Sequence, residues 1–109
     1  MAWRRKSRHT LRITIQESEA TTEIKLEGRL AGLWAAELAR TWAEIAPLQN
    51  SRKLSIDLRN TTYADASGIR ILRDIHSRTG AELVTSTPWT EYLAEEVTRT
   101  SANQVDQEP

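Results

Sequence analysis

The chain contains no cysteine. That excludes a disulfide framework, a thiolate nucleophile and any cysteine-based metal site, and it suits a reducing, cytoplasmic setting. No apolar run approaches the ~20 residues that span a bilayer, so no transmembrane segment is expected. Residues Met1 to Arg12 are basic but have no apolar stretch behind them, so they do not read as a secretory signal. Histidine is scarce, with only His9 and His76, and their separation offers no metal-binding spacing. Net charge is missing too, since 15 Lys and Arg balance 15 Asp and Glu, which leaves no overall bias toward nucleic acid or membrane. No metal, cofactor or direct nucleic-acid partner is expected.

What is present is ordinary for one globular domain. The chain has 109 residues, 28% charged and 39% hydrophobic. A chain of that length buries roughly 60–70% of its unfolded surface, enough for one core. Charge is uneven only at the start, where Arg4, Arg5, Lys6, Arg8 and Arg12 occur without an acid among them. Residues 1–9 read as a basic flexible arm, 10–99 as the domain, and 100–109 as a polar, aperiodic, disordered tail.

Periodicity orders the domain. Leu11, Ile13 and Ile15 alternate with polar residues, as do Ile24 and Leu26, and the two runs predict an antiparallel hairpin with Gly28 ending its second strand. From Leu33 the period becomes helical through Trp34, Leu38, Trp42 and Ile45, until Pro47 stops it. Leu54, Ile56 and Leu58 predict a third strand, followed by a loop from Arg59 to Ala64. A helix follows with Ile71, Leu72 and Ile75 toward the core, closed by Gly80. Leu83 and Val84 predict a short fourth strand, and Pro88 opens a last helix through Val97. The expected fold is α/β: an N-terminal β-hairpin, then alternating β-α units in a mixed, mostly parallel four-stranded sheet with helices packed on it.

Candidate chemistry is thin. Ser67 and His76 lie nine positions apart on one predicted helix. That is about 180° around the axis and roughly 13 Å along it, too far to share a proton. Gly28 and Gly32 lack the Lys-Ser/Thr that would make a phosphate loop. No enzymatic activity is expected. The segment Asp65-Ala66-Ser67-Gly68 stands out instead, because it places an aspartate at a helix N-cap position and a serine in the first helical turn. A hydroxyl there sits in the positive field of the helix N-terminus.

Three stretches resemble the STAS domain, the module shared by sulphate transporters and bacterial anti-sigma factor antagonists. Leu26-Glu27-Gly28-Arg29-Leu30 is similar to that family's second-strand exit, and Leu54-Ser55-Ile56-Asp57-Leu58 to its third strand. Tyr63-Ala64-Asp65-Ala66-Ser67-Gly68-Ile69 is similar to its aromatic-apolar-Asp-Ser-Ser-Gly-Leu loop, the most specific of the three. Ala66 stands in place of the first serine of that loop, which leaves one acceptor, and Ala31 stands where aspartate is frequent.

The resemblance implies a stand-alone regulatory protein of the antagonist type, binding a serine kinase that is itself an anti-sigma factor and released when Ser67 is phosphorylated. It implies a partner surface of Arg29, Thr62, Tyr63, Asp65, Ala66, Gly68, Ile69 and Arg70 around that serine. A second reading from the same family is a constitutive accessory subunit docked on the ATPase of an ABC-type lipid transporter, with Ser67 unmodified. A third is a subunit of a larger stress-signalling assembly.

Overall fold

A computed structural model describes residues 2–7, 11–48 and 52–99. Five strands form one sheet in sequential order: β1 (Ala2–Ser7), β2 (Leu11–Glu17), β3 (Thr21–Leu30), β4 (Lys53–Ala64) and β5 (Glu82–Val84). The helices are α1 (Leu33–Ile45), α2 (Ala66–Thr79) and α3 (Pro88–Thr98), with a 3-10 turn at Ala46–Leu48 that contains Pro47. β2 pairs antiparallel with β3, whereas β3–β4 and β4–β5 are parallel. The hairpin, the alternating β-α units and the mixed four-stranded sheet β2–β5 are thus all present.

The N-terminal segment departs from the expected flexible arm. Ala2–Ser7 is a fifth strand, antiparallel to β2 from Ala2↔Glu17 to Ser7↔Arg12. Without it β2 would present a row of unpaired backbone donors and acceptors, and β1 lies close enough in the chain to fill that edge. The tail expected over 100–109 lies outside the described residues.

A second departure concerns residues 59–64, expected as a loop. They continue β4, paired to a β3 that runs past Gly28 to Leu30. Two register shifts lie in this ladder, between Lys25 and Glu27 and between Gly28 and Arg29, and each gives β4 one extra residue. Gly28 takes φ 112° at the second, a conformation that favours glycine. Each bulge turns the chain over by one residue. Apart from Asp57, buried positions in β4 therefore run 54, 56, 58, then 61 and 64, and the period-2 signature disappears while the strand persists.

One apolar layer joins sheet and helices. Leu11, Ile13, Ile15, Ile24, Leu26, Ile56 and Leu58 pack with Leu38, Trp42, Leu72, Ile75, Leu93 and Val97 in a single cluster. Sequential strand order makes both crossovers step the same way, and right-handed crossovers then put α1 and α2 on one face. The opposite face carries the polar alternates, among them Glu23, Lys25, Ser55 and Asp57. Leu72 and Ile75 are fully buried as expected, but Ile71 is only half-buried because it borders the cleft between α1 and α2.

Candidate functional site

The C-terminal ends of β3 and β4 deliver the N-termini of α1 and α2 side by side. Leu30 and Ala64 are register partners, and the Asp65 amide donates to the Leu30 carbonyl at 3.2 Å. Asp65 then sits at the N-cap of α2 with extended backbone. Its Oδ1 accepts from the Gly68 amide at 2.8 Å and from the Ser67 hydroxyl at 2.7 Å. Its Oδ2 accepts from the Gly32 amide at 3.0 Å. Gly32 is the N-cap of α1, has φ 58° and offers no side-chain cap of its own. One carboxylate therefore ties two helix N-termini together, and the N–H groups it satisfies are those a helix start leaves without partners.

The charge of Asp65 suits that position. The Gly68 amide above all, then the Ser67 hydroxyl and the Gly32 amide, hold its carboxyl below the usual aspartate range. A second carboxylate on the sheet is held low in another way. Asp57 is 1% exposed and accepts from the Arg59 amide, Nε and Nη2 at 2.9–3.0 Å. The Arg59 guanidinium lowers the Asp57 pKa against the opposing effect of burial, and Asp57 raises that of Arg59.

The residues singled out from sequence separate into three groups. Asp65 and Ser67 form the hydrogen-bonded centre, with Ser67 and Ala66 exposed. Arg29, Thr62 and Tyr63 lie on the strand ends beside it, all exposed, with the Arg29 guanidinium 4.4 Å from the centre of the Tyr63 ring. That contact follows from the Arg29↔Tyr63 register. Arg70 is exposed on the next turn of α2. The two remaining positions are less open: Ile69 is half-buried and Gly68 is buried. A Cβ on Gly68 would overlap the Leu30 carbonyl oxygen and come within 2.9 Å of Leu30 Cγ, so this glycine is required where α2 crosses β3.

Two members of the site escaped the sequence reading. Gly32 stands in the sequence only as half of an incomplete phosphate-loop pattern, yet its amide is held by Asp65 across 33 positions. Leu33, first residue of α1, is 82% exposed beside it. An apolar residue at the start of a helix whose buried face begins later is the signal that would have marked Leu33.

Ser67 and His76 lie on one uninterrupted helix, Ala66–Thr79, which keeps them apart. Among the described residues no group of three or more His, Asp or Glu comes together to hold a metal, and no helix is long and apolar enough to cross a membrane. Compared with known proteins, the chain matches no family model and no curated protein.

Proposed function

We propose that the protein is a protein-interaction module of the STAS type, whose partner docks on the surface around Ser67 and leaves when that serine is phosphorylated. The observation that carries this reading is the exposed Ser67 hydroxyl, fixed by Asp65 where two helix N-termini meet. It is ringed by side chains suited to a partner: exposed Leu33 and Tyr63 for apolar contact, Arg29 and Arg70 for charge. A phosphate there adds −1.5 to −2 charges and three acceptor oxygens. A partner packed against Leu33 and Tyr63 would have to desolvate that dianion, so docking is lost without any change of fold. The partner class that fits is a serine kinase that doubles as an anti-sigma factor.

One observation favours the constitutive reading, in which the same surface holds an ABC-transporter ATPase and is never modified. The Ser67 hydroxyl already donates to Asp65 at 2.7 Å. Phosphorylation removes that donor and sets a dianion beside a carboxylate, which weakens the double cap.

Co-purification from the native host decides the partner, and incubation of that partner with ATP followed by phosphopeptide mass spectrometry decides the switch. Phosphate on Ser67, with Ser67→Asp losing the partner and Ser67→Ala keeping it, supports the switch. An ATPase that binds Ser67→Asp and Ser67→Ala alike supports the constitutive subunit.

A further inference from the structure

A groove runs between α1 and α2 and opens at Ser67. Its upper part, about 440 Å³, is lined by Gly32, Ala35, Ala36, Ala39, Ser67 and Ile71, with Arg70 and Asp74 at the rim. Its lower part, about 650 Å³, continues past Ala39 and Ile71 to Trp42, Ala43 and Ala46, with Arg52 and Arg78 at the rim. The two parts share Ala39, Ile71 and Asp74, so the groove is continuous along the helix pair. α1 has 13 residues, which makes it about 20 Å long.

Resting on the reading of the Ser67 face as a docking surface, we infer that this groove receives an amphipathic α-helix of the partner, with a carboxylate side chain opposite Arg70. Its shape is the first reason. The wall on α1 is Gly32, Ala36, Ala39, Ala43 and Ala46, spaced alternately four and three apart, which is the seam a crossing helix presents and accepts. Side chains this small let a helix axis approach to the lower end of the 8–10 Å range. A third helix seated in a two-helix groove also buries Ile71 and the exposed Ala36 and Ala43.

Charge selects the occupant. Three arginines and one aspartate line the rim, but Arg78 Nε donates to Asp74 Oδ1 at 2.9 Å and Arg52 pairs with Glu17 at 4.0 Å, which leaves Arg70 as the rim charge without an ion pair among the described residues. Helical spacing puts Arg40 and Glu44 one position outward on α1, where they cancel. The rim therefore favours an acidic helix over a basic one. It also gives the phosphate a mechanism. Ser67 and Arg70 are three residues apart on α2, one turn of one face. A phosphate on Ser67 takes Arg70 as its own counter-ion and withdraws it from the incoming carboxylate, while standing in the mouth of the groove.

The test uses two synthetic peptides of about 18 residues with an Ala/Leu seam, one flanked by glutamates and the other by lysines. Each is titrated into the ¹⁵N-labelled full chain. The acidic peptide is expected to shift the amides of Ala36, Ala39, Ala43, Arg70 and Ile71, and the basic peptide is not. Arg70→Glu should weaken the acidic peptide about tenfold and improve the basic one. Ala39→Trp should fill the groove and abolish binding, with the remaining amide spectrum reporting an intact fold. Equal binding of both peptides, shifts on another surface, or no shift at millimolar peptide overturns the inference. So do groove shifts that appear with protein concentration alone, since the occupant is then a second copy of the chain. If Ala39→Trp abolishes peptide binding while Ser67→Asp leaves it unchanged, the groove stands and the phosphorylation switch falls. If Ser67→Asp releases the native partner while Ala39→Trp does not, the switch stands and the groove falls.

Discussion

At the scale of single residues, two neighbours in the Asp65–Gly68 segment have unlike duties. Gly68 is a packing requirement: its missing side chain is what lets α2 pass over the Leu30 carbonyl. Gly68→Ala is expected to cost about 1–3 kcal/mol, as overpacking of a tight contact does, measured as a loss in denaturant midpoint. An unchanged midpoint would show that Leu30 simply moves aside. Asp65 is a joint. Asp65→Ala removes acceptors from Gly32, Ser67 and Gly68 together. The melting temperature should fall, and hydrogen exchange should quicken at the Gly32 and Gly68 amides while the Leu72 and Ile75 amides stay protected. Uniform loss of protection would mean the carboxylate supports the whole core and not the helix starts alone.

Among the elements, β4 carries the site and is also the strand least visible in the sequence. It has twelve residues against three in β5, so beyond Asp57 its second edge has no strand partner among the described residues. Side chains take over there. Asp57 accepts the Arg59 amide, and Trp89 Nε1 on α3 donates to the Thr61 carbonyl at 2.7 Å. An edge protected in this way resists pairing with another chain. Asp57→Ala is therefore expected to speed exchange of the Arg59 amide and to promote concentration-dependent self-association, read by light scattering. A variant that stays monomeric would assign the protection to Trp89.

The sequence could not reveal the length of β4, because two bulges change its buried spacing from two to three after Leu58. For the same reason Arg29 and Tyr63 were legible as separate candidates but not as a stacked pair. α1 and α2 were legible almost to their ends, since helical spacing and the Pro47 and Gly80 stops are local signals. The strand at Ala2–Ser7 was not, because a basic stretch shows no apolar alternation and is placed only by the vacant edge of β2.

Across the whole molecule, the two lowered carboxylates set the response to acid. Asp57 and Asp65 both sit below their ordinary value of 3.8 in the folded state. Each therefore contributes stability that is present above about pH 4 and is lost as pH falls through the folded-state pKa. The unfolding midpoint should hold from about pH 7 to about pH 5 and drop steeply below about pH 4. Asp57→Asn with Asp65→Asn should flatten that drop while lowering the midpoint at neutral pH. A double variant with an undiminished acid transition would shift the effect to other carboxylates.

By itself, the sequence determined the α/β class, the order of its elements from Leu11 onward, Leu38, Trp42, Ile45, Leu72 and Ile75 as buried helix positions, and Asp65 and Ser67 as a cap and a first-turn hydroxyl. These follow from periods of two and 3.6 and from residues that start and stop helices, all of which act within a few positions. Tertiary structure alone decided that β1 completes the sheet, that β4 runs on through two bulges, and that Asp65 reaches Gly32 as well as Gly68. It also decided that a groove with Arg70 at its rim opens beside Ser67. Each of these depends on residues far apart in the chain whose backbone groups need partners, and which of them meet is settled only when the sheet and its helices close on one core.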